Sequence, residues 1–79
     1  MKKLLCKVGE YQKDGQTKNE YVKVGVIMNN DNGEFLLLDP TFNAAGALVK
    51  QNVLAAKNGQ EQRDNLMVSI FDDSQQNYR

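Results

Sequence analysis

Two apolar runs, Tyr21-Val-Lys-Val-Gly-Val-Ile-Met28 and Phe35-Leu-Leu-Leu38, flank a polar stretch that contains Asn32-Gly33. β-Branched and aromatic residues on both sides of Asn-Gly predict a β-hairpin, because both residues accept the positive φ of a type I′ turn whose twist matches the paired strands. With Asn32-Gly33 as the two-residue loop, Asp31 faces Glu34, Met28 faces Leu37 and Ile27 faces Leu38. Val22, Val24, Val26 and Met28 then share a face with Phe35 and Leu37, and this valine face is expected to be the core. Tyr21, Lys23, Gly25, Ile27, Leu36 and Leu38 fall on the other. A sheet that is apolar on both faces must close into a barrel or bury its second face against another copy, so a homo-oligomer is expected.

Upstream, Leu4, Cys6 and Val8 alternate with Lys3, Leu5 and Lys7, the pattern of a half-buried strand ending at Gly9. Residues 10–19 are polar around Asp14-Gly15 and read as a second, longer hairpin turn, up whose sides strand pairing can continue with Tyr11 on one arm. Asp39-Pro40 ends the third strand, since proline has no N–H to give the ladder. The period then changes. Ala45, Leu48, Val49, Asn52, Val53 and Ala56 recur at helical spacing, with Asn43 as N-cap and Asn58-Gly59 as the stop. Gly46 and the β-branched valines leave an irregular loop plus a short strand as the alternative for residues 44–57. Leu66, Val68 and Ile70 alternate with Met67, Ser69 and Phe71 as a fourth strand, Phe71 lying on the sheet's second face or under the helix.

The expected strands are therefore residues 2–9, 20–29, 34–39 and 65–72, with a helix at 44–57. The fold class is mainly β with a minor α+β character: a small antiparallel sheet or an OB-like half-barrel in the order β-β-β-α-β. Residues 1–72 form one small domain, and 73–79, polar and without period, are expected to be a disordered tail. A 79-residue chain has a thin core, and such domains often recruit a second copy, a disulfide, a metal or a ligand for stability. A lone cysteine excludes an internal disulfide, and without histidine a zinc site lacks ligands. Cys6, between apolar neighbours, reads as a buried thiol.

Catalysis requires a nucleophile or proton-transfer group beside a partner that tunes it. Neither Ser69 nor Ser74 lies in a nucleophile motif, and Asp72 and Asp73 point apart on an extended chain, so no enzyme is expected. Asp31-Asn-Gly-Glu34 lacks the alternating oxygen ligands of a calcium loop and reads as a turn. The glycines do not gather into a phosphate loop, so neither a cofactor nor a small-molecule substrate is expected. Gly25 inside a strand marks a bulge, a sharp bend, or the close approach of another backbone or a ligand. Met1-Lys-Lys is followed by only three apolar residues before Lys7, and no run approaches a membrane span, so a cytoplasmic protein off the membrane is expected.

Ten basic side chains balance ten acidic ones, yet residues 1–23 carry six lysines against three carboxylates, a net +3, leaving the remainder at −3. Within that basic part Lys7, Tyr11, Lys13, Lys18, Tyr21 and Lys23 interleave amines with aromatic rings, the mixture that single-stranded nucleic acid requires for backbone and base contacts. The bland alternative is a lysine-rich edge that blocks aggregation.

The segments Lys7-Val-Gly-Glu-Tyr11, Asp14-Gly-Gln-Thr-Lys18, Tyr21-Val-Lys-Val-Gly-Val-Ile27, Gly33-Glu-Phe-Leu-Leu-Leu-Asp-Pro-Thr-Phe-Asn-Ala-Ala-Gly46 and Val68-Ser-Ile-Phe-Asp72 resemble a group of short proteins encoded on bacterial plasmids and phages, several described as single-stranded DNA-binding proteins. The resemblance covers most of the chain outside residues 47–64 and the tail. It implies an OB-like antiparallel barrel or half-barrel that binds single-stranded DNA as a dimer, with Lys7, Tyr11, Lys18, Tyr21 and Lys23 as contacts. The balanced net charge and the absence of an acidic tail ending in apolar residues depart from bacterial single-strand binders. A small dimeric protein-interaction module is the rival expectation.

Overall fold

The computed structural model describes residues 1–72; the tail expected at 73–79 lies outside the described residues. The elements are β1 (Lys2–Lys13), β2 (Gln16–Asn30), β3 (Gly33–Leu38), α1 (Ala44–Lys57) and β4 (Ser69–Asp72). The strands form one open antiparallel sheet in the order β3-β2-β1-β4. The mainly β class and the order β-β-β-α-β are those expected from the sequence.

The first hairpin is longer than its polar composition suggests. β1 and β2 stay paired up to Lys13 and Gln16, so pairing continues up both sides of residues 10–19, and the turn at Asp14-Gly15 is only two residues long. Asp14 (φ 54°) and Gly15 (φ 76°) both take positive φ, the conformation of a type I′ turn. At the second hairpin the expected register is displaced: Asn30 pairs with Gly33, Met28 with Phe35 and Ile27 with Leu36. The turn falls on Asp31-Asn32 because the Asn30 side-chain oxygen accepts from the Asn32 N–H at 2.8 Å, closing an Asx-turn one residue early. Gly33 alone takes positive φ there. The displacement moves each partner by two residues, so the facing sets of β2 and β3 are those the pattern predicts.

Which face is core does not follow the valine alternation. The β1–β2 register shifts between Leu4 and Leu5 and again between Lys7 and Gly9, leaving Val24 and Val8 as extra residues in β-bulges. Past Val24 the faces exchange. Val22, Val24 and Ile27 pack with Leu4, Cys6 and Val8, whereas Val26 and Met28 turn to the other side. Gly25 is required beside the bulge. A Cβ there would run into the Leu37 carbonyl oxygen and lie 3.1 Å from Leu38 Cα, so this glycine marks close approach of β3's own backbone.

α1 keeps its predicted bounds. The Asn43 side-chain oxygen accepts from Gly46 N–H at 2.9 Å as N-cap, and Gly59, with φ 70°, follows the Asn58 C-cap. The helix packs on β1 through Ala47, with half-buried Leu48, Gln51, Asn52, Leu54 and Ala55. The predicted stripe is thus rotated, and Val49 and Val53 are 62% and 52% exposed. Two amides explain the rotation. Gln51 Nε2 donates to the Lys7 and Met67 carbonyls at 3.0 and 2.9 Å, and its Oε1 accepts from Met67 N–H at 3.1 Å. Asn52 likewise exchanges hydrogen bonds of 3.0 and 2.8 Å with the Arg63 backbone. With Met67's backbone held by a side chain, β4 is confined to residues 69–72 rather than 65–72, while Leu66 and Val68 still pack on the core.

Candidate functional site

Because α1 covers one side of β1, the opposite face of the sheet is open, and cross-strand pairing fixes what it carries. Lys3 pairs with Val26 and Phe71, Leu5 with Lys23 and Ser69, and Lys7 with Tyr21. Paired residues share a face, so lysines, aromatic rings and apolar side chains are interleaved on the helix-free side. Towards β3 the same face continues through Met28, Phe35 and Leu37.

Its centre is an aromatic pair. Tyr21 on β2 and Phe71 on β4 reach toward each other across β1, with ring centroids 5.7 Å apart and planes at 87°. This edge-to-face arrangement suits the ring quadrupoles and holds both half-buried rings in place. Asn19 Nδ2 lies 3.5 Å from the Tyr21 hydroxyl. Phe71 therefore belongs to the sheet's second face, one of its two expected positions, rather than beneath the helix.

The six residues singled out in the sequence divide between the two faces. Lys7, Tyr21 and Lys23 lie together on the helix-free face. The Val8 bulge turns the alternation over, so Tyr11, which pairs with Lys18, and Lys13, which pairs with Gln16, lie on the opposite face of the projecting arm. Lys7 Nζ is 2.9 Å from Glu10 Oε2, which offsets part of its charge. Exposed Lys23 lies close enough to Asp39 to favour its ionised form. The chief cause of the lowered Asp39 pKa is the Thr41 hydroxyl, which donates to Asp39 Oδ1 at 2.6 Å, followed by the Thr41 N–H at 2.9 Å. Lys3 and Phe71 join the face without having been singled out. The register with β4 brings them there, and the only sequence sign was Phe71's position out of phase with Leu66, Val68 and Ile70.

A cleft of about 440 Å³ opens between β2 and the start of α1 and is lined by Val22, Lys23, Asp39, Phe42 and Lys50 among others. Phe42 fills its apolar side by packing against the core. A polar groove of about 240 Å³ lies beside Lys7 and Glu10 under the 60–67 segment. Neither cleft pairs a nucleophile with a base, and burial pushes the pKa of the Cys6 thiol up. What the helix-free face offers is contact chemistry: amines for anionic groups and flat rings for stacking. No protein-family model, curated protein or solved structure matches the chain.

Proposed function

We propose that this chain is a sequence-tolerant single-stranded DNA-binding module that uses the helix-free face of its sheet. The observation that carries the reading is the Tyr21–Phe71 pair, 5.7 Å between centroids, flanked by Lys3, Lys7 and Lys23 on the same face. Bases stack on such rings regardless of identity, while lysines follow the phosphates. The resemblance to plasmid and phage single-strand binders supports it, and implies an OB-like relationship and service in the replication or transfer of a mobile element in the cytoplasm. The role is binding rather than catalysis. Among the described residues no helix is long and apolar enough to cross a membrane. A second reading, a small protein-interaction module without nucleic acid, is favoured by the apolar half of the same face, where Phe35 is 37% and Leu37 51% exposed.

Salt-titrated binding to a fluorescent oligonucleotide separates the two. Affinity should fall with salt at a slope of about −0.7 per neutralised phosphate. Tyr21→Ala should cost about 1–3 kcal/mol without changing that slope, and Lys23→Ala should make it shallower by about 0.7. Lys13→Ala, on the opposite face, should leave both unchanged. Absence of binding at low salt and micromolar protein would give first place to the interaction module.

A further inference from the structure

β3 is an edge strand of unusual character. All six of its residues are exposed, and Phe35, Leu36, Leu37 and Leu38 retain 37%, 48%, 51% and 60% of their accessible surface. Phe35 and Leu37 point to one side of the sheet, Leu36 and Leu38 to the other, and α1 packs on β1, away from all four. The strand itself carries no lysine, no proline and no bulge against β2, and Glu34 is its one charge. Elsewhere a stretch of strand edge is covered. On the far side of β1, past the end of its pairing with β4, the Gln51 amide occupies the Lys7 carbonyl.

We infer that β3 is the self-association edge of this protein, pairing antiparallel with β3 of a second copy about a two-fold axis normal to the sheet and centred on Leu36. The hydrogen-bond alternation makes this pairing specific. Asp39 N–H donates to the Val24 carbonyl, so Gly33, Phe35, Leu37 and Asp39 direct their backbone groups to β2. Glu34, Leu36 and Leu38 direct theirs outward. An axis at Leu36 uses all three, placing Leu36 against its own copy and Glu34 against Leu38 of the second copy. It also sets Phe35 beside Leu37 of the second copy and puts no two carboxylates opposite one another. Moving the axis to Glu34 would set two carboxylates face to face, which is destabilising.

A two-fold axis in this orientation keeps the helices of both copies on one side and the open faces on the other, so apolar surface meets apolar surface. At roughly half exposure each of the four side chains offers on the order of 100 Å², taking about 200 Å² for a large side chain. Two copies offer at most about 800 Å², which places the contact at the small end of protein interfaces. A weak, concentration-dependent dimer follows, and suits a domain with only five buried apolar residues among those described.

Analytical ultracentrifugation across nanomolar to near-millimolar concentration should show the mass rise from 8.9 kDa to twice that value. Leu36→Pro removes only an outward N–H, and Leu36→Lys adds a guard charge while leaving the backbone intact; each should stay monomeric with an unchanged circular dichroism spectrum. If the proline variant fails to fold, the lysine variant carries the comparison. In the wild type, amides of Glu34, Leu36 and Leu38 should gain exchange protection at least tenfold on raising the concentration, while those of Phe35 and Leu37, already bonded to β2, change little. A monomer throughout the range, an assembly larger than two, dimers of unchanged affinity in Leu36→Lys, or protection that does not single out Glu34, Leu36 and Leu38 would each overturn the inference.

Discussion

Replacing Gly25 with alanine tests how β3 is held. The added methyl would meet the Leu37 carbonyl oxygen inside contact distance, with Leu37 C at 3.2 Å and Leu38 Cα at 3.1 Å. All three are backbone atoms, so relief requires β3 to move as a strand. Overpacking of this kind costs about 1–3 kcal/mol, against a gain of about 0.4–1 kcal/mol from restricting the unfolded chain. A net loss of about 1.5 kcal/mol is expected, lowering the melting temperature by roughly 6–12 °C for a domain of this size. Gly9→Ala is the control. It follows the other bulge, but its Cβ would meet only Glu20 Oε1, at 2.8 Å, the end of a flexible side chain that can rotate away. That change should stay within about 0.5 kcal/mol of wild type. Urea unfolding followed by far-ultraviolet circular dichroism, at one fixed protein concentration, measures both, and amide exchange at Phe35 and Leu37 reports whether β3 opens ahead of the rest. Equal stability of the two variants would refute the close-approach account.

The remaining predictions concern side chains that bind backbone. Gln51→Ala removes three hydrogen bonds that tie α1 to β1 and to Met67, and should cost about 3 kcal/mol at roughly 0.5–1.5 kcal/mol per bond, read from the urea midpoint. Asp39 should titrate below its ordinary 3.8 in a carbon-detected NMR titration, and Thr41→Val should bring it back towards that value. Because the folded-state value is the lower one, the stabilisation from Asp39 is present above the unfolded value and is lost as pH falls through the folded value. Its pH dependence is therefore confined to the acid limb, below about 4.

How far the sequence discloses the fold depends on whether a local interaction or a distant one decides each element. α1 is legible to the residue because its ends are local: Asn43 caps Gly46, and Asn58-Gly59 closes the last turn. Its orientation is not, because the contacts that set it are made by polar residues. Gln51 and Asn52 turn inward to reach carbonyls of Lys7, Met67 and Arg63, while Val49 and Val53, the apolar residues a helical wheel would bury, remain outside. The same tertiary bonds shorten β4 below its alternating pattern. At the second hairpin a side chain competed with a propensity, and the Asn30 Asx-turn displaced the Asn32-Gly33 turn.

The candidate site depends on a feature that the alternation rule hides but the sequence repeats. Lys-Val-Gly occurs twice, as Lys7-Val8-Gly9 and Lys23-Val24-Gly25, and each occurrence coincides with a bulge between β1 and β2. In both, the lysine lies on the helix-free face, the valine is buried, at 6% and 4% exposure, and the glycine follows where the strand bends. Strict alternation instead assigns the lysine and the glycine to one face and the valine to the other, and so groups Tyr11 and Lys13 with Lys7, and Gly25 and Ile27 with Lys23. Tyr21 and Lys23 share a face by alternation and Lys7 joins them by pairing with Tyr21; the Val24 bulge then brings Val26 and Met28 to that side, and the Val8 bulge carries Tyr11 and Lys13 to the other. A valine–glycine pair inside an alternating strand is thus the sequence sign that would have divided the six candidate residues correctly, and it identifies the bulges as the device that composes the face.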